Sequence, residues 1–208
     1  LMREGQSTAR YTPEVRRSLG RIASSLLEEL PRVPDPDLAL TTFERLVAVV
    51  AARTTVLRLL ADTPSLVGLL ARLFGTSEFL SATLLRQPEL LDTLLTPEPA
   101  TRHGQERTAQ ELRCAVDAAA SGSGRLDALR RVKKAEELRI GLADILEQAD
   151  VTETQRALTL LADTCLASAL ALAEEDLVAR YGRPDPPGFS IVGMGKLDSP
   201  PVLLSLLG

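Results

Sequence analysis

Tryptophan is absent from this 208-residue chain, and all aromatic residues together make up 3% of it. The core must therefore be built from Leu, Ala and Val. Histidine is represented once, by His103 in the polar segment Thr101-Arg102-His103-Gly104, where a solvated loop residue is the expected role. Cys114 and Cys165 are the only cysteines, far apart and not in a Cys-x-x-Cys spacing. They read as small buried hydrophobes in a reducing cytosol, and no metal site can be assembled from so few ligands. Positive charge is also in short supply: the formal net charge is −4 and the pI is about 5.2. That excludes the basic footprint of a nucleic-acid-binding domain but not a nucleotide site, which needs only local donors. Arg or Asp interrupts each apolar run, so no membrane span is expected, and the polar Leu1-Met2-Arg3-Glu4-Gly5 start has no secretory apolar core. The expected location is the cytoplasm.

Leucine and helix punctuation are what the chain has. It is 45% hydrophobic and 25% charged, ordinary values for a globular protein. Residues 1–11 are expected to be a disordered lead-in. Thr12-Pro13-Glu14 then supplies a cap, a proline at the first helical position and an early acid, opening a helix with Leu19, Ile22, Leu26, Leu27 and Leu30 on one face. Pro31, Pro34 and Pro36 stop it. Asp35 or Asp37 caps a long apolar helix over 36–61, expected to be central to its bundle. Thr63-Pro64 opens the next helix and Gly75 closes it. Thr76 or Ser77 caps another, and Pro88 opens a third that ends at Thr96-Pro97. A polar stretch over 97–110 leads into a helix ending near Ser121-Gly122-Ser123-Gly124, a run read as a flexible joint. The expected organisation is a helical domain over 12–121, further helices over 122–183, and a distinct end over 184–208.

Beyond the joint, a helix over 125–148 carries Arg130, Arg131, Lys133, Lys134 and Arg139, the most basic part of an acidic chain. A solvated face paired with Glu136 and Glu137 is the expected explanation, with contact to phosphates or to an acidic partner as the alternative. Thr152-Glu153-Thr154-Gln155 has the spacing of a capping box for a helix of nearly thirty residues, closed by Gly182 and the prolines of Pro184-Asp185-Pro186-Pro187.

The one convincing strand comes last, in Gly188-Phe189-Ser190-Ile191-Val192-Gly193-Met194-Gly195-Lys196-Leu197. A β-branched run entering a Gly-x-Gly-Lys turn suits a phosphate, because glycine lets backbone N–H groups approach closely. Two common templates fail. A P-loop needs a glycine five positions before Gly195, where Ser190 stands, and a hydroxyl after Lys196, where Leu197 stands. A dinucleotide fingerprint needs a third glycine where Asp198 stands, followed by a helix that Pro200-Pro201 would interrupt.

A third template is the polymerase-β-type nucleotidyltransferase, in which a strand and glycine turn precede a strand bearing Asp-x-Asp. Tyr181-Gly182-Arg183-Pro184 with Gly188 through Leu197 resembles the glutamine synthetase adenylyltransferase family, the bifunctional adenylylating and deadenylylating enzyme. Leu129-Arg130-Arg131-Val132-Lys133-Lys134-Ala135-Glu136-Glu137-Leu138-Arg139-Ile140 is similar to one of its helices, and Leu160-Leu161-Ala162-Asp163-Thr164-Cys165-Leu166 to another. Phe79-Leu80-Ser81, Leu84-Leu85-Arg86 and Gln87-Pro88-Glu89-Leu90-Leu91-Asp92 resemble its earlier Leu-rich segment. The match then breaks: Asp198-Ser199 replaces the expected Gly-Gly, and no Asp-x-Asp follows. A truncated or frame-shifted fragment is the expectation that fits this loss.

The resemblance implies a mainly α fold, with one C-terminal strand beginning a truncated nucleotidyltransferase domain. It implies Gly193, Gly195 and Lys196 as phosphate-binding residues, with no catalytic or metal-binding residue in this chain. Mg2+ and ATP or ADP are the implied cofactors. Glutamine synthetase and a nitrogen-regulatory signalling protein are the implied partners. One half of the family transfers AMP from ATP to a tyrosine of glutamine synthetase, controlling nitrogen assimilation, and the other removes it by phosphorolysis. Met194 between the glycines favours the deadenylylating half, whereas the helices over 38–95 suit the adenylylating half equally. A non-catalytic helical module that docks on glutamine synthetase or a regulatory protein is the alternative.

Overall fold

The computed structural model describes residues 12–50, 54–95, 102–119, 122–183 and 191, and every regular element among them is helical. The chain groups into two compact units, Leu1–Thr96 and Pro97–Gly208.

In the first unit, helix α1 (Pro13–Glu29) starts as its sequence dictates: the Thr12 hydroxyl oxygen accepts from the Val15 N–H at 3.3 Å, with Pro13 and Glu14 in the first turn. It buries Val15, Ile22 and Leu26. A single 3-10 turn, Leu30–Arg32, leads to helix α2 (Pro36–Val50). Of the two acids eligible to cap α2, Asp35 does so, its carboxylate accepting from the Leu38 N–H at 2.9 Å. Helix α3 (Thr54–Asp62) follows. The single long helix expected over 36–61 is thus described as two stretches, residues 51–53 lying outside the described residues.

Helix α4 (Pro64–Phe74), not α2, is the central element of this unit. Leu66, Val67, Gly68, Leu70, Ala71, Leu73 and Phe74 are all buried, so α1, α2, α3 and α5 (Glu78–Arg86) cover most of α4 and leave only the side of Ser65 and Arg72 exposed. On α2, by contrast, Leu40 and Val49 are 49% and 47% exposed. Length and leucine content favour α2, but α4 carries one charged residue, Arg72, and can be enclosed. Phe43 of α2 meets Phe74 edge to face, ring centroids 5.6 Å apart. Gly75 ends α4 where a side chain would not fit: a Cβ there would lie 2.9 Å from the Asp35 carbonyl oxygen, while the Asp35 N–H donates back to the Gly75 carbonyl at 3.2 Å. Ser77 caps α5. A 3-10 turn, Pro88–Leu90, and helix α6 (Leu91–Leu95) complete the described part.

The second unit is a three-helix arrangement of α7 (Arg102–Asp117), α8 (Gly122–Ile145) and α9 (Val151–Tyr181), each packed on the other two. Helix α7 begins inside the segment expected as a polar stretch, so the backbone of His103 is helical rather than looped. Strong helix formers (Gln105, Glu106, Arg107, Glu111) account for the early start. The expected joint contributes Gly122, Ser123 and Gly124 to the first turn of α8. Leu112, Val116 and Leu129 form one core cluster, with Val132, Cys165, Ala169 and Leu172 packed against it. Ile140, Ala157 and Leu161 form a second, which Cys165 also touches.

The corner between α8 and α9 is fixed by hydrogen bonds. Glu147 takes a left-handed φ of 55°, letting the Gln148 N–H reach back to the Ala143 carbonyl at 2.8 Å, a helix end more often made with glycine. The capping box of α9 lies two residues earlier than expected. Asp150, not Thr152, accepts from the Glu153 N–H at 2.8 Å, and the Glu153 carboxylate accepts from the Asp150 N–H at 2.9 Å. Two acids suit the positive end of the helix dipole better than a Thr/Gln pair. At its far end α9 stops at Gly182, φ 78° and ψ 177°, a conformation reserved for glycine.

Helix α9 has 31 residues, and its most apolar window has a mean hydropathy of 1.5, so by length and composition alone it could cross a bilayer. This corrects the expectation that no run is long enough. Asp163 sits within the apolar part, and Ala157, Leu161, Cys165, Ala169 and Leu172 pack against the neighbouring helices. These contacts bury one side of the helix, while only 17% of its most apolar eighteen residues are buried. The strand expected over 188–193 lies outside the described residues apart from Ile191, which belongs to no regular element.

Candidate functional site

Gly193, Gly195 and Lys196 lie outside the described residues, so the structure does not place them. The described residues most resembling a site lie in the second unit. Thr108 of α7, Glu136, Arg139 and Ile140 of α8, and Ala157, Leu160, Leu161 and Thr164 of α9 line a small hollow, with room for about one water-sized group.

Its polar centre belongs to the basic run of α8. Arg139 donates from Nε and Nη2 to one oxygen, Oε2, of Glu136, at 2.9 and 2.7 Å. The two side chains are only 15% and 11% exposed. Arg139 Nη1 is buried without a hydrogen-bond partner, which costs free energy because a charged donor gives up water without replacement. Ion pairing of the run with Glu136 and Glu137 is as the sequence suggests, since Lys133 also pairs with Glu137. Solvation is not: Glu136 and Arg139 are enclosed because α8 is sandwiched between α7 and α9. Elsewhere Arg130 meets Asp127 and Arg125 meets Glu175, each at 2.8 Å, in exposed pairs of little energetic weight.

Cys165, between the two core clusters, is half-buried. Burial pushes its thiol above the ordinary value, a rise opposed by the Lys133 charge and aided by Glu137. A thiol held protonated is a poor nucleophile. Cys114 is exposed, not buried as expected, because it stands on the outer side of α7, turned away from Leu112 and Val116. Among the described residues, no three His, Cys, Asp or Glu side chains are grouped to hold a metal ion. The sequence suggests the Glu136–Arg139 pairing but not its burial, since there the pair looks like surface charge. The signal was the placing of Leu129, Val132, Leu138, Ile140 and Leu142 around more than one side of α8.

Sequence comparison supplies what this geometry does not. A sequence model of the family described as glutamate-ammonia ligase adenylyltransferase matches residues 67–200. The stretch takes in most of α4 and all of α5 to α9, and runs through the glycine turn. The bifunctional glutamine synthetase adenylyltransferase/adenylyl-removing enzyme of Thioalkalivibrio sulfidiphilus (strain HL-EbGR7) is 31% identical over 208 residues, covering 94% of this chain. The chain spans 21% of that relative's length. With the family match extending over most of its residues, the chain belongs to the glutamate-ammonia ligase adenylyltransferase family.

Proposed function

We propose that this chain is part of an enzyme that transfers AMP to, or removes it from, a tyrosine of glutamine synthetase, and so controls nitrogen assimilation in the cytoplasm. The observation that carries the reading is the family match over residues 67–200, which includes Gly193, Gly195 and Lys196. In this reading the glycine N–H groups and the Lys196 ammonium hold phosphate oxygens of ATP or ADP. The helices of the second unit position that turn. A nitrogen-regulatory signalling protein is the proposed second partner.

Magnesium, when bound in such an enzyme, neutralises charge on the transferring phosphoryl group. Among the described residues no three His, Cys, Asp or Glu side chains are grouped to hold such an ion. The contribution proposed for this chain is positional: the glycine turn holds phosphate oxygens. Met194 favours the adenylyl-removing direction, and the helices preceding Leu95 suit the adenylylating direction.

The test is a chimera in which residues 67–197 replace the matching stretch of the Thioalkalivibrio enzyme, assayed for AMP transfer to glutamine synthetase and for its phosphorolytic removal. Both activities are expected to persist, and Lys196→Ala to abolish one, thereby identifying the direction. A folded chimera in which Lys196→Ala changes neither activity would count against the reading. A second reading is a helical module that only docks on glutamine synthetase, through the helices that make up every described element. It requires binding of glutamine synthetase by the 208-residue chain while both activities of the chimera are lost.

A further inference from the structure

The small hollow among α7, α8 and α9 has polar groups that helix packing does not use up. Arg139 directs Nε and Nη2 to a single oxygen of Glu136, at 2.9 and 2.7 Å. Its Nη1 is buried with no hydrogen-bond partner among the described residues, on a side chain that is 15% exposed and lines the hollow. From α9, Thr164 lines the same hollow. Its hydroxyl donates to the Leu160 carbonyl at 2.7 Å, so its oxygen is left with lone pairs that can only accept. Thr108, 8% exposed, brings a second hydroxyl from α7. A charged donor without a partner and an accepting oxygen thus share a space with room for about one water-sized group.

We infer that the hollow is a binding site for one ordered water, which accepts from Arg139 Nη1 and donates to Thr164 Oγ1. The occupant must accept and donate at once, and the other species small enough each fail on one count. A metal or ammonium ion cannot accept from a guanidinium. A halide can, but it has no hydrogen for Thr164, and Arg139 is already neutralised by the Glu136 carboxylate. Phosphate, sulfate and carboxylates are too large. A dry hollow leaves Nη1 with the full cost of a buried donor, whereas a bridging water makes bonds nearly as good as direct ones. Ile140, Ala157 and Leu161 of the second core cluster line the same space. The water is therefore a polar fixture inside an apolar contact, and it holds the Arg139 guanidinium in one orientation between α8 and α9. Nothing in this site depends on AMP chemistry, so its failure would leave the proposed reaction untouched.

Oxygen-17 relaxation dispersion counts the waters held inside a protein and is blind to hydroxyl proton exchange. Applied to the full 208-residue chain, it should find one water fewer in Thr164→Val than in the unaltered protein, and an equal count overturns the proposal. Urea unfolding gives a second readout. Thr164→Val should raise the unfolding equilibrium constant about fivefold, the usual weight of one buried hydrogen bond. Ser168→Ala removes the same kind of bond outside the hollow, from the Ser168 hydroxyl to the Thr164 carbonyl at 2.9 Å, and should change the constant by less than about twofold. Equal effects at the two positions, or a more stable Thr164→Val protein, mean a dry hollow and overturn the proposal. So does saturable stabilisation of the unaltered protein, but not of Thr164→Val, when chloride replaces gluconate at constant ionic strength, because the occupant is then an anion. If Thr164→Val fails to fold, Glu136→Leu with Arg139→Met removes the other polar side of the hollow. That protein should also lose one water, and an unchanged count again overturns the proposal.

Discussion

A guanidinium and a carboxylate that have both left water, as Arg139 and Glu136 have, hold each other in place more firmly than they stabilise the fold. Arg139→Ala should destabilise the second unit by about 3–5 kcal/mol, because Glu136 stays buried without its partner. The double replacement Glu136→Leu with Arg139→Met should recover most of that loss, as measured by urea unfolding. A small effect of Arg139→Ala would mean that the pair opens freely to solvent. Cys165 gives a second prediction at this scale. Its thiol pKa is raised, so thiolate is scarcer than usual at neutral pH, and maleimide labelling of native protein should modify Cys114 well before Cys165. The Cys165 rate should climb as pH rises past about 9, where the ordinary thiol ionises. Equal rates at pH 7 would show that the packing around Cys165 is looser than described. Neither residue announces its setting in the sequence: the arginine looks like its exposed neighbours, and the two cysteines look alike.

At the scale of elements, the first unit depends on α4. Leu70→Ala should cost about 2–5 kcal/mol, since the cavity is closed on every side. Leu40→Ala on the outer face of α2 should stay within about 0.5 kcal/mol. Comparable losses at both positions, read from thermal unfolding, would return the central role to α2. Helix ends were largely legible, because caps are local chemistry: Thr12, Ser77, Gly75 and Gly182 act as their sequence contexts indicate. The start of α9 was read two residues late for a physical reason. Asp150-x-x-Glu153 and Thr152-x-x-Gln155 overlap with the same spacing, and only charge at the helix terminus separates them. Which helix becomes central was not legible, because enclosure depends on neighbours that lie tens of residues away.

For the whole molecule, the mainly helical character and the family are readable because several separated segments agree in order, from Gln87-Pro88-Glu89 through Leu138-Arg139-Ile140 to Gly193-Met194-Gly195-Lys196. The glycine turn proposed to bind phosphate is readable only as a pattern, since glycine spacing says where backbone can approach a ligand and not what completes the site. The pure 208-residue chain, mixed with glutamine synthetase, ATP and magnesium, is expected to give no AMP incorporation above background and no phosphorolytic release. Metal-dependent turnover in that mixture would mean that carboxylates elsewhere in the chain assemble a metal site.

Because α1 packs on both α3 and α4, the apolar face that carries Ile22 and Leu26 is not fully covered until Phe74 has been synthesised, some sixty residues after Pro13. At the usual pace of translation that is a wait of about 3–12 s. During it, an amphipathic helix emerges from the ribosome with its apolar face open, a target for chaperones. The first unit is thus built to fold in one late step, when the least polar of its helices arrives.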